Sequence, residues 1–318
     1  MMGIKIIATG SYLPSKVVTN DDLSKIVDTS DEWIVKRTGI RTRHYLGEGE
    51  THQTMAEAAA KQALERANID RSKIAACIVT TLGGDYITPT CACMLQAALE
   101  LEENTACFDM NSACAGFPYG LKLAQGLVTK ERPYALVVSC EALSRLTDFT
   151  DRSTCVLFGD GAGAVVVEGS EDTPDICAIL GSRSNQPVLY IDGSTEEGPS
   201  YIHMEGQAVF KFAVDIIPRC IQWILDQAGK TVEDLDWLVM HQANERIIDH
   251  AVKKMQMPPE KAFKNIAKYG NMSSACIPIA LNDLYEAGQL RSGMRVLCVG
   301  FGGGLTWGGC LIEIGGIS

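Results

Sequence analysis

The 318-residue sequence predicts a layered α/β protein built from two similar halves. Three observations carry this. Segments rich in Val, Ile and Ala alternate with helix-patterned segments along the whole chain. Residues 74–80, "IAACIVT", are apolar without a break, the pattern of a strand covered on both faces. "FGDGAGAVVVE" (158–168) is echoed by "FGGGLTWGGCLIE" (301–313), each with Phe-Gly, further glycines and an apolar strand ending in Glu.

Residues 4–9, "IKIIAT", predict the first strand, and residues 54–67, "TMAEAAAKQALERA", a helix of good formers. After the strand 74–80 come a helix near 90–100, a strand near 105–110 and a helix near 117–129. Strands near 134–139 and 162–168 complete the first half. "EGSEDTPD", around residue 170, has linker composition, which sets the halves at 1–170 and 171–318. In the second half "CAILGSR" predicts a strand. Residues 206–228 predict a long helical stretch interrupted by Pro218, and "DWLVM" (236–240) another strand. Helices over 244–256 and 274–287 and a strand over 295–300 follow.

Composition narrows the function. Hydrophobic residues at 46% and charged residues at 21% describe a globular chain. With 28 Lys and Arg against 39 Asp and Glu, the formal charge is −11, and no basic excess exists to neutralise nucleic-acid phosphates. No apolar run has the length of a membrane span, and "MMGIKIIATG" is too quickly broken for a signal peptide. A cytoplasmic protein is expected, in which the twelve cysteines stay reduced. Cys77, Cys140 and Cys298 lie inside apolar runs and read as small buried hydrophobes. Cys91 and Cys93 form a C-x-C without nearby partners, so no metal is expected.

Cys114 differs from the rest. "TACFDM" ends a strand and "GFPYGLKLAQGLV" begins a helix, with Phe117, Leu121, Ala124 and Val128 on one face. Pro118 suits a first helical turn. A thiol at that helix start faces unpaired backbone N–H groups, which predicts a lowered pKa and thiolate character. Ser112, Ala113, Ala115 and Gly116 are small enough to admit a substrate. "LVMHQAN" puts His241 directly after an apolar strand, and "YGNMSSACIPIALNDLYEAG" puts Asn271 in a Gly-flanked turn before a helix. Three polar groups at the ends of elements in one α/β unit predict a site. The order Cys, His, Asn also occurs in papain-like hydrolases, but the C-G-[SA]-C-[WY] pattern is absent around Cys114. Gly159, Gly161 and Gly163 precede a strand rather than a helix, which excludes a dinucleotide fingerprint.

In "SDEWIVKRTG" Ser30 reads as an N-cap and Gly39 as a C-terminal stop, with Trp33 and Arg37 on one helical face. An aromatic plane and a guanidinium at that spacing can sandwich a planar base. The helix 244–256 buries Ile247, Ile248, Ala251, Val252 and Met255. Arg246, His250 and Lys253, with Lys254 beside them, share another face. That basic face on an acidic molecule suits an acidic partner.

The motifs "NSACAGF", "HQAN", "YGNMSSA", "DTSDEWIVKRTGI", "DRSTCVLFGDGAGA" and "GFGGGLTWG" resemble the β-ketoacyl-acyl carrier protein synthase III family, in the family order and over nearly the whole chain. The resemblance implies the thiolase fold, two duplicated α/β halves in an αβαβα core. The first half would carry the nucleophile and the second His and Asn. It implies that Cys114 takes the acyl group from a short primer acyl-CoA, acetyl-CoA by default. Decarboxylative condensation with malonyl-acyl carrier protein would then give 3-ketoacyl-acyl carrier protein and carbon dioxide. His241, as a neutral donor, and Asn271 would stabilise the enolate, and the backbone N–H groups of Cys114 and Gly303 the acyl-transfer oxyanion. Coenzyme A would meet Thr29, Trp33, Arg37, Arg152 and Asn244. Carrier protein would dock on Lys211, Arg246, His250, Lys253 and Lys254. No cofactor is implied, and a homodimer is, with Cys91–Leu101 and "TACFDM" as candidate interface segments. Many relatives carry Phe where Thr88 stands. That loop, with Ile87, would close the partner's primer pocket; a smaller Thr88 would admit a longer or branched primer unless neighbouring Tyr86 or Ile87 refills the space. Thiolases use two cysteines and a different His pattern. A polyketide starter enzyme is the nearer alternative.

Overall fold

The computed structural model describes residues 2–193 and 200–316. The first half contains β1 (Gly3–Tyr12), β2 (Lys16–Thr19), α1 (Asn20–Leu23), α2 (Asp31–Thr38), β3 (Thr42–Tyr45), α3 (His52–Ala67) and β4 (Ile74–Thr80). It continues with α4 (Cys91–Ala98), β5 (Ala106–Met110), α5 (Gly116–Leu127), β6 (Tyr134–Ala142), α6 (Arg152–Cys155) and β7 (Asp160–Ser170). The second half contains β8 (Cys177–Ser182), β9 (Leu189–Ile191), β10 (Ile202–Met204), α7 (Gly206–Ala228) and β11 (Trp237–Met240). It ends with α8 (Glu245–Lys254), α9 (Ile266–Tyr269), α10 (Cys276–Glu286), β12 (Arg295–Gly302) and β13 (Thr306–Ile314).

One strand-pairing rule occurs twice. In the first half β1 lies antiparallel to β7, β7 antiparallel to β6, and β6 parallel to β4, with β5 at the edge. In the second, β8 lies antiparallel to β13, β13 antiparallel to β12, and β12 parallel to β11. β1 and β13 join the two sets through a short parallel register at Lys5–Glu313 and Ile6–Ile314. The two Gly-rich echoes open β7 and β13, which hold matching places.

α5 and α10 pack between the two strand sets, each touching strands of both. Their apolar faces fit that place: Phe117, Leu121 and Ala124 from α5, and Ile277, Leu281 and Leu284 from α10, are fully buried. α3 covers the outer face of the first set with Ala56, Ala59, Ala60 and Ala63, whose small side chains permit close helix-on-sheet approach. α7 covers the outer face of the second. Pro218 does not interrupt α7, which runs unbroken from Gly206 to Ala228. Ile216, Ile217, Cys220 and Ile221 around it are all buried against the sheet, and that packing outweighs the one backbone bond proline forfeits.

Candidate active site

Each half ends a central-helix approach with the same turn. Asn111-Ser112-Ala113 and Asn271-Met272-Ser273 both bend through a left-handed residue, Ala113 at φ 46° and Ser273 at φ 48°. In each, the Asn side chain accepts from the backbone N–H two residues on, at 3.0 Å for Ala113 and 2.9 Å for Ser273. A 3-10 turn follows, Ala113–Ala115 or Ser273–Ala275, and then α5 or α10. The two turns touch. Cys114 sits in the first and Ser274 holds the matching place in the second.

Cys114 packs against β12, the strand before the "GFGGG" loop. A Cβ added to Gly302 would lie 2.7 Å from the Cys114 nitrogen, and one added to Gly300 2.7 Å from its carbonyl oxygen. Glycine is required there because backbone meets backbone. The Thr306 hydroxyl lies 3.0 Å from the Ser112 carbonyl oxygen and 2.9 Å from that of Gly303, tying the glycine loop to the cysteine turn.

Cys114, His241, Asn271 and Gly303 all line one cavity of about 950 Å³. His241 leaves β11 with its N–H donating to the Val299 carbonyl at 2.8 Å, and its ring meets Phe301 edge-on at 5.3 Å. It is buried, and burial pushes its pKa down to about 3, so the ring is neutral. The Asn271 Oδ1 accepts from the Ser273 N–H, which turns Nδ2 into the free donor of the carboxamide.

The thiol contradicts the expected thiolate. Burial pushes Cys114 up to about 12, and a nearby Ser273 hydroxyl pulls down only in part. A helix start favours an anion, but here the desolvation cost of an anion is the larger effect. The resting thiol is therefore protonated. Difference absorbance near 240 nm between the wild type and Cys114→Ser should show no extra thiolate below pH 9. A thiolate signal at pH 7 that vanishes with the substitution would contradict this.

The cavity reaches Trp33 and Arg37 on α2. Ser30 caps that helix, accepting from the Trp33 N–H at 3.1 Å, and Gly39 ends it at φ 82°. The Arg37 guanidinium lies 4.3 Å over the Trp33 ring and that of Arg152 at 5.1 Å, so both arginines rest in contact with the indole. Arg152 Nη1 is held by the Asp28 carbonyl at 2.8 Å. Thr29 does not line the cavity, and its hydroxyl is buried without a partner. Asn244 lines it, but both ends of its carboxamide are already bonded. Oδ1 accepts from the Arg246 N–H and Nδ2 donates to the Arg37 carbonyl, each at 2.9 Å, making Asn244 a strut between α2 and α8.

Arg246, His250, Lys253 and Lys254 are exposed on α8, and Lys211 is exposed on α7 beside it. The acids of α8, Glu245 and Asp249, both pair with Lys264. Among the described residues none of the five basic groups has an ion-pair partner. Ile87 and Thr88 do not line the cavity of their own chain, and Ile87 is 93% exposed.

Two features in and around the cavity lay outside the sequence expectations. The hairpin β9–β10 contributes Leu189, Tyr190, Ile191, Ile202 and Met204 to the cavity wall. Glu141 lies buried behind the Asn271 turn. The repeated Asn-x-x-x-x-x-x-Pro spacing of Asn111–Pro118 and Asn271–Pro278 was the available signal for the paired turns.

Among the described residues no helix is long and apolar enough to cross a membrane, and no three His, Cys, Asp or Glu side chains gather as a metal site. Residues 108–184 match the family model 3-oxoacyl-[acyl-carrier-protein] synthase III, and residues 225–314 match the model of its C-terminal part. The chain is 43% identical to beta-ketoacyl-[acyl-carrier-protein] synthase III of Clostridium acetobutylicum, over 98% of this chain and 99% of that protein. The crystal structure of 3-oxoacyl-[acyl-carrier-protein] synthase III from Aquifex aeolicus superposes with a TM-score of 0.92 at 44% identity, covering 98% of this chain and all of that one. A priming β-ketosynthase from the R1128 polyketide pathway superposes at 0.94 with 34% identity, over 99% and 97% of the two chains. With cysteine, imidazole and carboxamide around one cavity and identity of this extent over the full length, the chain belongs to the 3-oxoacyl-[acyl-carrier-protein] synthase III family.

Proposed function

We propose that the protein transfers a short acyl group from coenzyme A to Cys114 and condenses it with malonyl-acyl carrier protein, releasing carbon dioxide and 3-ketoacyl-acyl carrier protein. One observation carries this: a thiol, a neutral imidazole and a free carboxamide donor share a single cavity whose mouth bears an arginine–tryptophan stack. A thiol accepts an acyl group. Two preorganised donors suit the thioester enolate formed when carbon dioxide leaves. The backbone N–H groups of Cys114 and Gly303 serve the oxyanion of acyl transfer. Trp33, Arg37 and Arg152 hold the adenine of coenzyme A, with Thr29 and Asn244 nearby and Asn244 bracing α2 through the Arg37 carbonyl. No cofactor enters the reaction. The halves 1–170 and 171–318 act as one unit, since the site draws on both. The enzyme works in the cytoplasm as a homodimer, and the exposed Ile87 and Thr88 loop closes the partner's primer pocket.

The deciding experiment is intact-protein mass spectrometry after exposure to a panel of acyl-CoAs. Acetyl labelling at Cys114 is expected. The likeness to the priming β-ketosynthase favours a second reading, a polyketide starter, and preferential labelling by longer or branched chains would select it.

The five unpaired basic groups, Lys211, Arg246, His250, Lys253 and Lys254, form the dock for the acidic carrier protein. Reversal of Arg246 and Lys253 to Glu should raise the apparent KM for malonyl-carrier protein about tenfold or more and leave acyl-CoA labelling of Cys114 unchanged. Equal loss in both half-reactions would refute a docking role.

A further inference from the structure

Gln242 follows His241 and is fully buried. Its carboxamide hydrogen-bonds only backbone groups. Nε2 donates to the Met240 carbonyl at 2.8 Å and to the Phe263 carbonyl at 3.2 Å. Oε1 accepts from the Asn265 N–H at 3.2 Å. Two carbonyls on one side and an N–H on the other fit only this orientation of the amide.

These bonds replace a stretch of sheet. The segment after α8 runs parallel to β11, with Ala262 beside Leu238 and the Phe263 N–H on the Leu238 carbonyl at 3.1 Å. Were the parallel ladder carried on, Met240 would take the Phe263 carbonyl and the Asn265 N–H. The Gln242 carboxamide takes both groups and ties the Met240 carbonyl as well. It stands in for a peptide unit where the two backbones part. Beyond that point the segment forms α9, bends at Gly270 and delivers Asn271. One side chain thus joins the strand end that carries His241 to the segment that carries Asn271. The opposite grips come from elsewhere: the His241 N–H donates to the Val299 carbonyl of β12 at 2.8 Å, and the Asn271 N–H to the Leu157 carbonyl at 2.9 Å.

We propose that Gln242 is a positioning residue that sets the spacing between the His241 ring and the Asn271 carboxamide, the two donors of the decarboxylation step. This rests on the reading of those donors under the proposed function. Gln242 does not line the cavity, so it acts through them and not on substrate. Both donors must meet one enolate oxygen at hydrogen-bond distance, and a misplacement of about 1 Å costs up to about a hundredfold. Cys114 is held by other contacts, the approach of Gly300 and Gly302 and the Thr306 tie to its turn, so acyl uptake does not depend on this amide. The site asks for both a donor and an acceptor at one side-chain end. A carboxylate would face two carbonyl oxygens, and a thioether would leave three buried backbone groups unpaired.

The test follows the two half-reactions separately in the full chain: acetylation of Cys114 by acetyl-CoA, weighed as intact protein, and decarboxylation of malonyl-carrier protein by pre-acetylated enzyme. Gln242→Met fills a similar volume without the amide. It should lower kcat of decarboxylation about ten- to a hundredfold, leave the KM for malonyl-carrier protein unchanged, and leave acetylation unchanged. In an Asn271→Asp background its cost should shrink, because one of the two donors it positions is already gone. Gln242→Glu keeps the shape and decides the matter if the Met variant does not fold. Its protonated form still donates, and burial raises a carboxyl's pKa. Decarboxylation by this variant should therefore be highest at pH 5.5 and fall toward pH 8.5, with no matching fall in acetylation relative to wild type. Equal losses in both half-reactions, in folded Gln242→Met or in Gln242→Glu, would reduce Gln242 to packing and overturn the proposal. Wild-type decarboxylation at pH 8.5 by either variant would overturn it too. Failure of the wild type to decarboxylate malonyl-carrier protein would instead overturn the reading of His241 and Asn271 beneath it.

Discussion

Cys114→Ser is expected to fold normally and to lose acyl transfer by about four orders of magnitude or more. The substitution removes almost no packing, because the side chain shrinks only slightly and the turn is fixed by Asn111, Thr306 and the approach of Gly302. What it removes is the proposed nucleophile. An alcohol holds its proton far more tightly than a thiol, and this site already pushes even the thiol up to about 12. The loss should therefore appear in the first half-reaction, as absence of an acetyl adduct, with an unchanged unfolding midpoint. None of the other eleven cysteines lines the cavity, so none can substitute. Normal uptake and extension of the acyl group by Cys114→Ser would place the nucleophile elsewhere and dissolve the proposed function.

The strands and helices were largely legible because their signals are local. The apolar run 74–80 became β4 residue for residue, and Ser30 and Gly39 cap α2 as their side chains predict. Pro218 misled because its local penalty is readable and the packing that overrides it is not. That Cys114, His241 and Asn271 gather at one cavity was legible because each stands at the edge of an apolar pattern. The thiol's protonation was not, since burial is a property of the folded surroundings. The helix start is visible in "GFPYG", but the walls from Gly300, Gly302 and the Asn271 turn arrive from residues far along the chain. Glu141 was missed for the same reason: "SCEAL" reads as a strand end, and only the tertiary structure faces its acid toward a serine 133 positions away, Ser274.

Removing either donor opposite Cys114 should separate the two half-reactions. His241→Ala and Asn271→Asp are each expected to slow malonyl-carrier protein decarboxylation about 10²–10³-fold while Cys114 still takes up acetyl. Charge builds on the malonyl thioester oxygen only as carbon dioxide leaves, so a donor aimed there matters to that step alone. The Asp variant keeps the acceptor that bonds the Ser273 N–H but replaces the free donor with a like charge, and it should be the more severe. The pH dependence distinguishes how His241 acts. Its pKa, down at about 3, leaves it neutral from pH 5 to 8, so decarboxylation by pre-acylated enzyme should be flat there. A required imidazolium would instead lose rate tenfold per unit as pH rises. Stability gives an independent check on the same burial. The unfolded chain protonates this histidine below its ordinary 6.5 and the folded chain does not, so stability falls as pH drops from 6.5 toward 3, and His241→Ala should relieve that part of the fall. In the proposed reaction both donors serve one oxygen, so the double variant should lose less than the product of the single losses. Full multiplicativity would mean that His241 and Asn271 act on different atoms, and the shared enolate site would have to be abandoned.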